Sequence, residues 1–258
     1  SGATVIISQF YGAKNEKDTS CAVHTAIALA FIAGIIISIV GLSFSRFALT
    51  MIGTPEDMFD SALTYIRIYF TGIIASIIYN MGAGILRAVG DSKRPLYFLI
   101  VSCIINIILD IVFIAVFHWG IAGAAWATVF SQVVSMYLVL RCLTHTTESY
   151  VLEIKKIRLI PSFLLKIVRI GLPAGVQSIM YTISNIIIQA NVNALGTTVI
   201  AAWAACGKID SFYWMIINAF GIAITTFVGQ NYGAGKYDRV RKGMIQTLGM
   251  SALSTVFI

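Results

Sequence analysis

Ser8-Gln9-Phe10-Tyr11-Gly12-Ala13 and Gly229-Gln230-Asn231-Tyr232-Gly233-Ala234 are near copies of one another, and Thr4 recurs as Thr225 at the same offset. Each copy closes an apolar run. Each is followed by a charged segment, Lys14 to Asp18 in the first case and Lys236 to Arg239 in the second. A period this long is not that of a solenoid. It reads as a duplicated multi-helix unit, the organisation of many secondary transporters. It also implies a whole protein of about twice the period, of which this chain is a piece.

The composition agrees with a membrane setting. Hydrophobic residues make up 58% of the chain and charged residues 11%, with a mean hydropathy of +0.87. A water-facing surface of ordinary polarity needs roughly 25% charged residues. The net charge of +7 therefore reads as basic loops at a membrane face, and no nucleic-acid partner is expected. Cys21, Cys103, Cys142 and Cys206 are scattered in apolar surroundings and read as small core residues rather than a disulfide or metal set.

A spanning helix needs about 20 mostly apolar residues. By that measure the spans are the tail Ser1–Phe10, then Cys21–Phe44, Met58–Leu86, Pro95–Phe117, Ile121–Leu140, Leu164–Leu195 and Val199–Gly229. A further helix starts near Gly243 and runs to Ile258. Gly196-Thr197-Thr198 divides an apolar stretch too long for one span. If the spans alternate sides, residues 14–20, 87–94, 141–169 and 233–242 share one side. Fifteen of the 18 Lys and Arg fall there, while the opposite loops hold only Arg46. The positive-inside bias makes the basic side cytoplasmic.

The polar stretch 144–161 reads as a linker between an N-terminal lobe, residues 1–143, and a C-terminal lobe, residues 162–258. Both repeat copies close a span on the basic side, so the two halves run parallel. The fold class is an all-α membrane protein, a two-lobe bundle. It would have twelve helices in the whole protein, about six of them complete here.

Several stretches in order along the chain resemble the MATE family of multidrug and toxic compound extrusion transporters, within the MOP superfamily. They are the two Gln-x-Tyr-Gly-Ala copies, Gly53-Thr54-Pro55-Glu56 and Leu86-Arg87-Ala88-Val89-Gly90-Asp91-Ser92-Lys93-Arg94-Pro95. Asn106 to Asp110, Gly123 to Thr128 and Gly171-Leu172-Pro173 complete the set, the last resembling the opening of the family's helix 7. The resemblance implies an antiporter that exports organic, often cationic, compounds against an inward flow of H⁺ or Na⁺.

Asp110 is the most informative ionisable group, because a carboxylate well inside a spanning helix costs several kcal/mol unless paired, protonated or wetted. Asn106 lies one helical turn earlier on the same face. Counting from the turn at Trp119 places Thr128 at a depth similar to that of Asp110. Carboxylate, amide oxygen and hydroxyl at one level suit a hard cation such as Na⁺, and a low-dielectric setting favours proton capture by the carboxyl group. The residues do not choose between the two ions. The resemblance implies that these three belong to the first-lobe cation site. The bland alternative is a hydrogen-bonded cluster that only joins helices.

Lys208 and Asp210 sit near the middle of a later span, two residues apart and so on different faces. Asp210 shares a face with Trp203, Tyr213, Trp214 and Asn218, a setting that suits an organic cation. Gln177, Tyr181, Ser184 and Asn185 form a polar stripe that either lines a cavity or bonds to neighbouring helices. His24 and Arg67 read as residues that snorkel or face water. No GxSxG, HExxH or P-loop pattern occurs, so neither an enzyme nor an ATP-driven pump is expected. The rivals to an antiporter are a lipid-linked or polysaccharide flippase of the same superfamily and a membrane scaffold without transport. No cofactor beyond the coupling ion is expected. The expected setting is the plasma membrane, bacterial inner membrane in kind. The expected partners are a small organic substrate and the bilayer, with the protein a monomer.

Overall fold

The computed structural model of the chain describes residues 2–194 and 196–257. Ser1, Leu195 and Ile258, expected above as outer residues of spans, lie outside the described residues. The described residues form α1 (Gly2–Gly12), α2 (Glu16–Ile52), α3 (Glu56–Ala88), α4 (Lys93–Asp110), α5 (Gly120–Thr144), α6 (Pro161–Ala194), α7 (Thr197–Gly233) and α8 (Tyr237–Phe257). There is no strand among them. Six of these helices are long and apolar enough to cross a membrane, and they are the six complete spans read from hydropathy. Their ends run further than the apolar windows. α2 starts at Glu16 and ends at Ile52, because helical hydrogen bonding continues into water where hydropathy no longer marks it. Gly196 separates α6 from α7 with φ of 95°, a backbone angle that glycine adopts without strain.

Pro173 lies inside α6, which starts at Pro161, as the span read from Leu164 to Leu195 places it. Proline has no N–H to give to the carbonyl one turn back, and this position is where α6 can bend.

By contact the chain forms two compact units, Glu16–Leu164 and Ser1–Asn15 with Leu165–Ile258. Contact thus groups α1 with α6 to α8 rather than with α2. In the first unit α3 is central, packed along α2 on one side and α5 on the other, and α4 packs on α5. Small residues allow the close approach. A Cβ on Gly72 would press on Val129 at 2.6 Å, and one on Gly82 on Val139 at 2.7 Å. Hydroxyls then join helices through backbone carbonyls: Ser38 Oγ to Phe70 O at 2.8 Å, Ser102 Oγ to Ser131 O at 2.6 Å and Tyr79 Oη to Pro95 O at 3.0 Å. Ser102 and Ser131 are both buried. Ser102→Ala is expected to cost about 1 kcal/mol, since it removes a buried hydrogen bond between two helices in an apolar interior. Chemical unfolding of the variant in detergent, compared with the parent, measures this.

The stretch after α5 is not a loose polar linker. Leu152 is 2% exposed and Tyr150 6% exposed. The Leu152 N–H bonds to Leu143 O at 2.8 Å. His24, expected to face water, is buried at 3% exposure. Its Nε2 accepts the Glu153 N–H at 3.0 Å, and its Nδ1 lies 2.7 Å from Ser20 O. The acceptor role at Nε2 places the ring proton on Nδ1. A buried imidazole thereby ties the linker to α2.

In the second unit the repeat copies meet. α1 packs along α7, and the two Gln-x-Tyr-Gly-Ala ends cross. A Cβ on Gly12 would fall on the Gln230 carbonyl, and a Cβ on Gly233 on the Gln9 carbonyl. The equivalent of Ser8 in the second copy is Gly229, and a Cβ there would fall on Ser8 Oγ. Each copy thus supplies the glycine that the other copy's backbone needs. The similarity of the two motifs is the similarity of two halves of one contact.

Candidate functional site

In the first unit, Asp110 is the last α-helical residue of α4, and Ile111–Val116 continues as a π-helix. Short π segments inside helices occur frequently at functional sites. The chain then turns through His118 at φ of 55° and Gly120 at φ of 56° into α5. Phe113 of the π segment stacks on Trp119 at 5.0 Å between ring centroids and meets Phe130 at 6.0 Å. Phe117 and Trp126 extend this aromatic cluster. Such a cluster at a helix turn anchors a protein at a membrane–water interface. Its members are spread from residue 113 to 130, so spacing along the chain did not reveal it.

Two contacts set the register of α4 and its π extension on α5: Ser102 against Ser131, and Gly123 against Phe113, whose Cβ lies 3.0 Å from where a Cβ on Gly123 would fall. Counting between them places Asn106 level with Thr128. Asp110 stands about one turn nearer Trp119. The expectation that Asp110 and Thr128 share a depth is corrected accordingly. The reason is the π segment, which puts more residues into each turn and so climbs less per residue than the α-helix of α5 beside it.

Asp110 and Asn106 are half-buried. The Nδ2 of Asn106 is fully buried and has no hydrogen-bond partner among the described residues. An orphaned amide at the level of Thr128 is a polar group held towards something it does not yet touch. Turning the amide over presents its carbonyl oxygen to the same space, as a cation ligand requires. Thr128 Oγ1 donates to Ala124 O at 3.0 Å, which leaves its lone pairs open. A carboxylate and two further oxygens stepping along one helix pair can hold a small hard cation, and the carboxylate by itself can hold a proton.

In the second unit, Asn185 of α6, Trp203, Cys206, Asp210 and Tyr213 of α7, and Thr255 of α8 line a cavity of about 600 Å³. Trp214 Nε1 donates to Asp210 Oδ2 at 3.1 Å, so one carboxylate oxygen is held by an indole of the same helix. Tyr181 meets the Trp214 ring edge-on at 5.9 Å. Of the expected cavity residues, Asp210, Trp203 and Asn185 line it, and Tyr181 and Trp214 adjoin it. Lys208 and Gln177 do not line it. Lys208 is two residues from Asp210 and turns to another face, while Gln177 lies two turns before Asn185 on α6. Cys206, read above as a small core residue, instead forms part of this cavity wall, and Cys103 is likewise exposed on α4. Thr255 was missed because α8 carries no charge or motif near it.

A comparison with family models matches MatE over residues 1–112 and 173–258. Among curated proteins the chain is 31% identical over 249 residues to the probable multidrug resistance protein YoeA of Bacillus subtilis, covering 94% of this chain and 54% of YoeA. It is 33% identical over 238 residues to the probable multidrug resistance protein YpnP of the same organism, covering 91% of this chain and 52% of YpnP. The chain thus spans about half the length of the curated relatives it matches. A solved structure described as MATE in the bent conformation superposes with a TM-score of 0.91 at 24% identity, over 99% of this chain and 58% of that one.

Proposed function

The chain belongs to the MatE family, and we propose that it forms part of a cation-coupled antiporter that exports organic compounds, cationic ones among them, by alternating access. The observation that carries this reading is Asp110 at the α-to-π junction, one turn from the buried, unpartnered amide of Asn106. H⁺ or Na⁺ taken up at Asp110, Asn106 and Thr128 lowers the charge of the N-terminal lobe, residues 1–143. The C-terminal lobe, residues 162–258, offers the organic compound the aromatic, acidic cavity around Asp210. Residues 144–161 join the lobes. The protein lies in the plasma membrane with its basic loops in the cytoplasm, and it acts as a transporter rather than an enzyme. The α1–α7 crossing is tight enough to close one end of a passage.

A flippase for anionic lipid-linked sugars would need cations in its cavity. Asp210 is the one charged residue among the described residues that line this second-unit cavity. Efflux of ethidium or norfloxacin from cells carrying the full-length protein, with Na⁺ and pH gradients varied separately, tests the proposal. Efflux that ignores both gradients would sink it. Asp210→Asn is expected to weaken export of ethidium about tenfold, the worth of one charge and cation–π setting in a partly shielded cavity. The concentration giving half-maximal efflux rate is the measure, and a norfloxacin carboxylate should feel the change less than the permanent cation of ethidium.

A further inference from the structure

Where the linker crosses α2, α3 and α5, the first unit carries two adjoining hollows of opposite character. One is a groove of about 800 Å³ walled by apolar side chains, among them Phe31, Ile78, Met136, Leu152, Ile157 and Leu159. The other is a pocket of about 290 Å³ at the start of α2, where Lys155, Lys156 and Arg158 come together beside Ser20 and His24. Arg158 lines both hollows. The groove is of a size that holds a small ligand, and it opens beside a cluster of cations.

We propose that this face binds one anionic phospholipid, with an acyl chain in the groove and the phosphate on Lys155 and Arg158. Three observations support it. First, the charge is available. Lys156 is engaged by Glu153 at 2.7 Å, but Lys155 and Arg158 have no acidic partner among the described residues. Second, the cations are presented by a fixed support. The His24–Glu153 bond, the Leu152–Leu143 bond and the buried Tyr150 hold the linker against the helices. A linker that only spanned a distance would need none of these. Third, basic pockets between spanning helices at the cytoplasmic face suit anionic headgroups, while the adjoining apolar wall suits the chain that a soluble phosphate lacks. The leaflet, though not the site, rests on the orientation proposed above, which makes it the inner one.

The test is native mass spectrometry of the full-length protein in mild detergent, with phosphatidylglycerol or phosphatidylcholine added. One phosphatidylglycerol is expected to stay bound per protein, and phosphatidylcholine is not. Each cation near a membrane surface contributes about fivefold in affinity. Lys155→Gln combined with Arg158→Gln should therefore weaken retention about 25-fold. Lys236→Gln with Lys242→Gln, an equal loss of charge elsewhere, should leave it unchanged. Ala28→Trp, which fills the groove, should also release the lipid. The cation pair consists of exposed side chains, so its result stands even if the groove variant does not fold. Equal retention of phosphatidylcholine would overturn the proposal. So would unchanged retention in the Lys155/Arg158 variant, or displacement of the lipid by inorganic phosphate alone. A groove covered instead by a protein segment would show as no phospholipid bound at all.

Discussion

If the full-length protein is the proposed cation-coupled antiporter, Asp110→Asn is expected to abolish its efflux while leaving its amount in the membrane unchanged. The substitution keeps the shape of the side chain and its capacity to accept a hydrogen bond. It removes the charge that holds a cation and the oxygen that takes a proton. A neutral amide is also cheaper to keep in an apolar helix than a carboxylate, so no loss of folded protein should follow. Dye efflux driven by an imposed gradient, together with immunoblotting of the membrane fraction, separates the two effects. Efflux at the parent rate would refute the assignment of Asp110. Thr128→Val sharpens the result. If Na⁺ is the coupling ion, losing one of three oxygens should raise the Na⁺ concentration needed for half-maximal efflux by about tenfold or more. If H⁺ is the coupling ion, the carboxyl group acts without the hydroxyl and the variant should export nearly as the parent does.

Gly12→Val and Gly233→Val are expected to destabilise the second unit strongly. In each case the new side chain would fall on a backbone carbonyl, that of Gln230 or Gln9. A backbone carbonyl cannot rotate aside, so α1 and α7 must separate. Overpacking of this kind costs about 1–3 kcal/mol per site. The crossing is reciprocal, so one separation of the helices accommodates both side chains. The double variant should therefore lose less than the two singles added together. Thermal unfolding of the four proteins in detergent gives the cycle. Gly175→Ala is the control, because a Cβ there meets nothing within 4 Å. Adding a methyl group at such a helical position should leave stability unchanged or raise it by about 0.5–1 kcal/mol. Singles with the parent melting temperature, or a double whose losses simply add, would contradict the crossing.

The candidate sites were legible to different depths. Asp110 was legible because charge is rare and costly in an apolar helix, and Asn106 because one turn of helix puts it on the same face. Their height relative to Thr128 was not, since residue counting assumes an α-helix and Ile111–Val116 is not one. Around Asp210, helical spacing found Trp203 and Trp214. It could not exclude Lys208 or Gln177, whose place depends on how α6, α7 and α8 meet. His24 was misread for a related reason. A histidine near a helix end can satisfy its nitrogens with water or with another segment, and only the path of the linker decides which.

Hydropathy was enough to establish a membrane protein with six full spans, while the sidedness of Lys and Arg and the two Gln-x-Tyr-Gly-Ala copies pointed to an orientation and a duplicated plan. These properties are written locally or as simple counts, because lipid imposes a length and a polarity on each span independently of its neighbours. The reciprocal seating of the copies, the shortened end of α4 and the fastening of the linker over an apolar groove came from tertiary structure alone. They depend on which backbone atoms approach each other across tens to hundreds of residues, and close packing is a property of pairs of surfaces that neither surface records by itself.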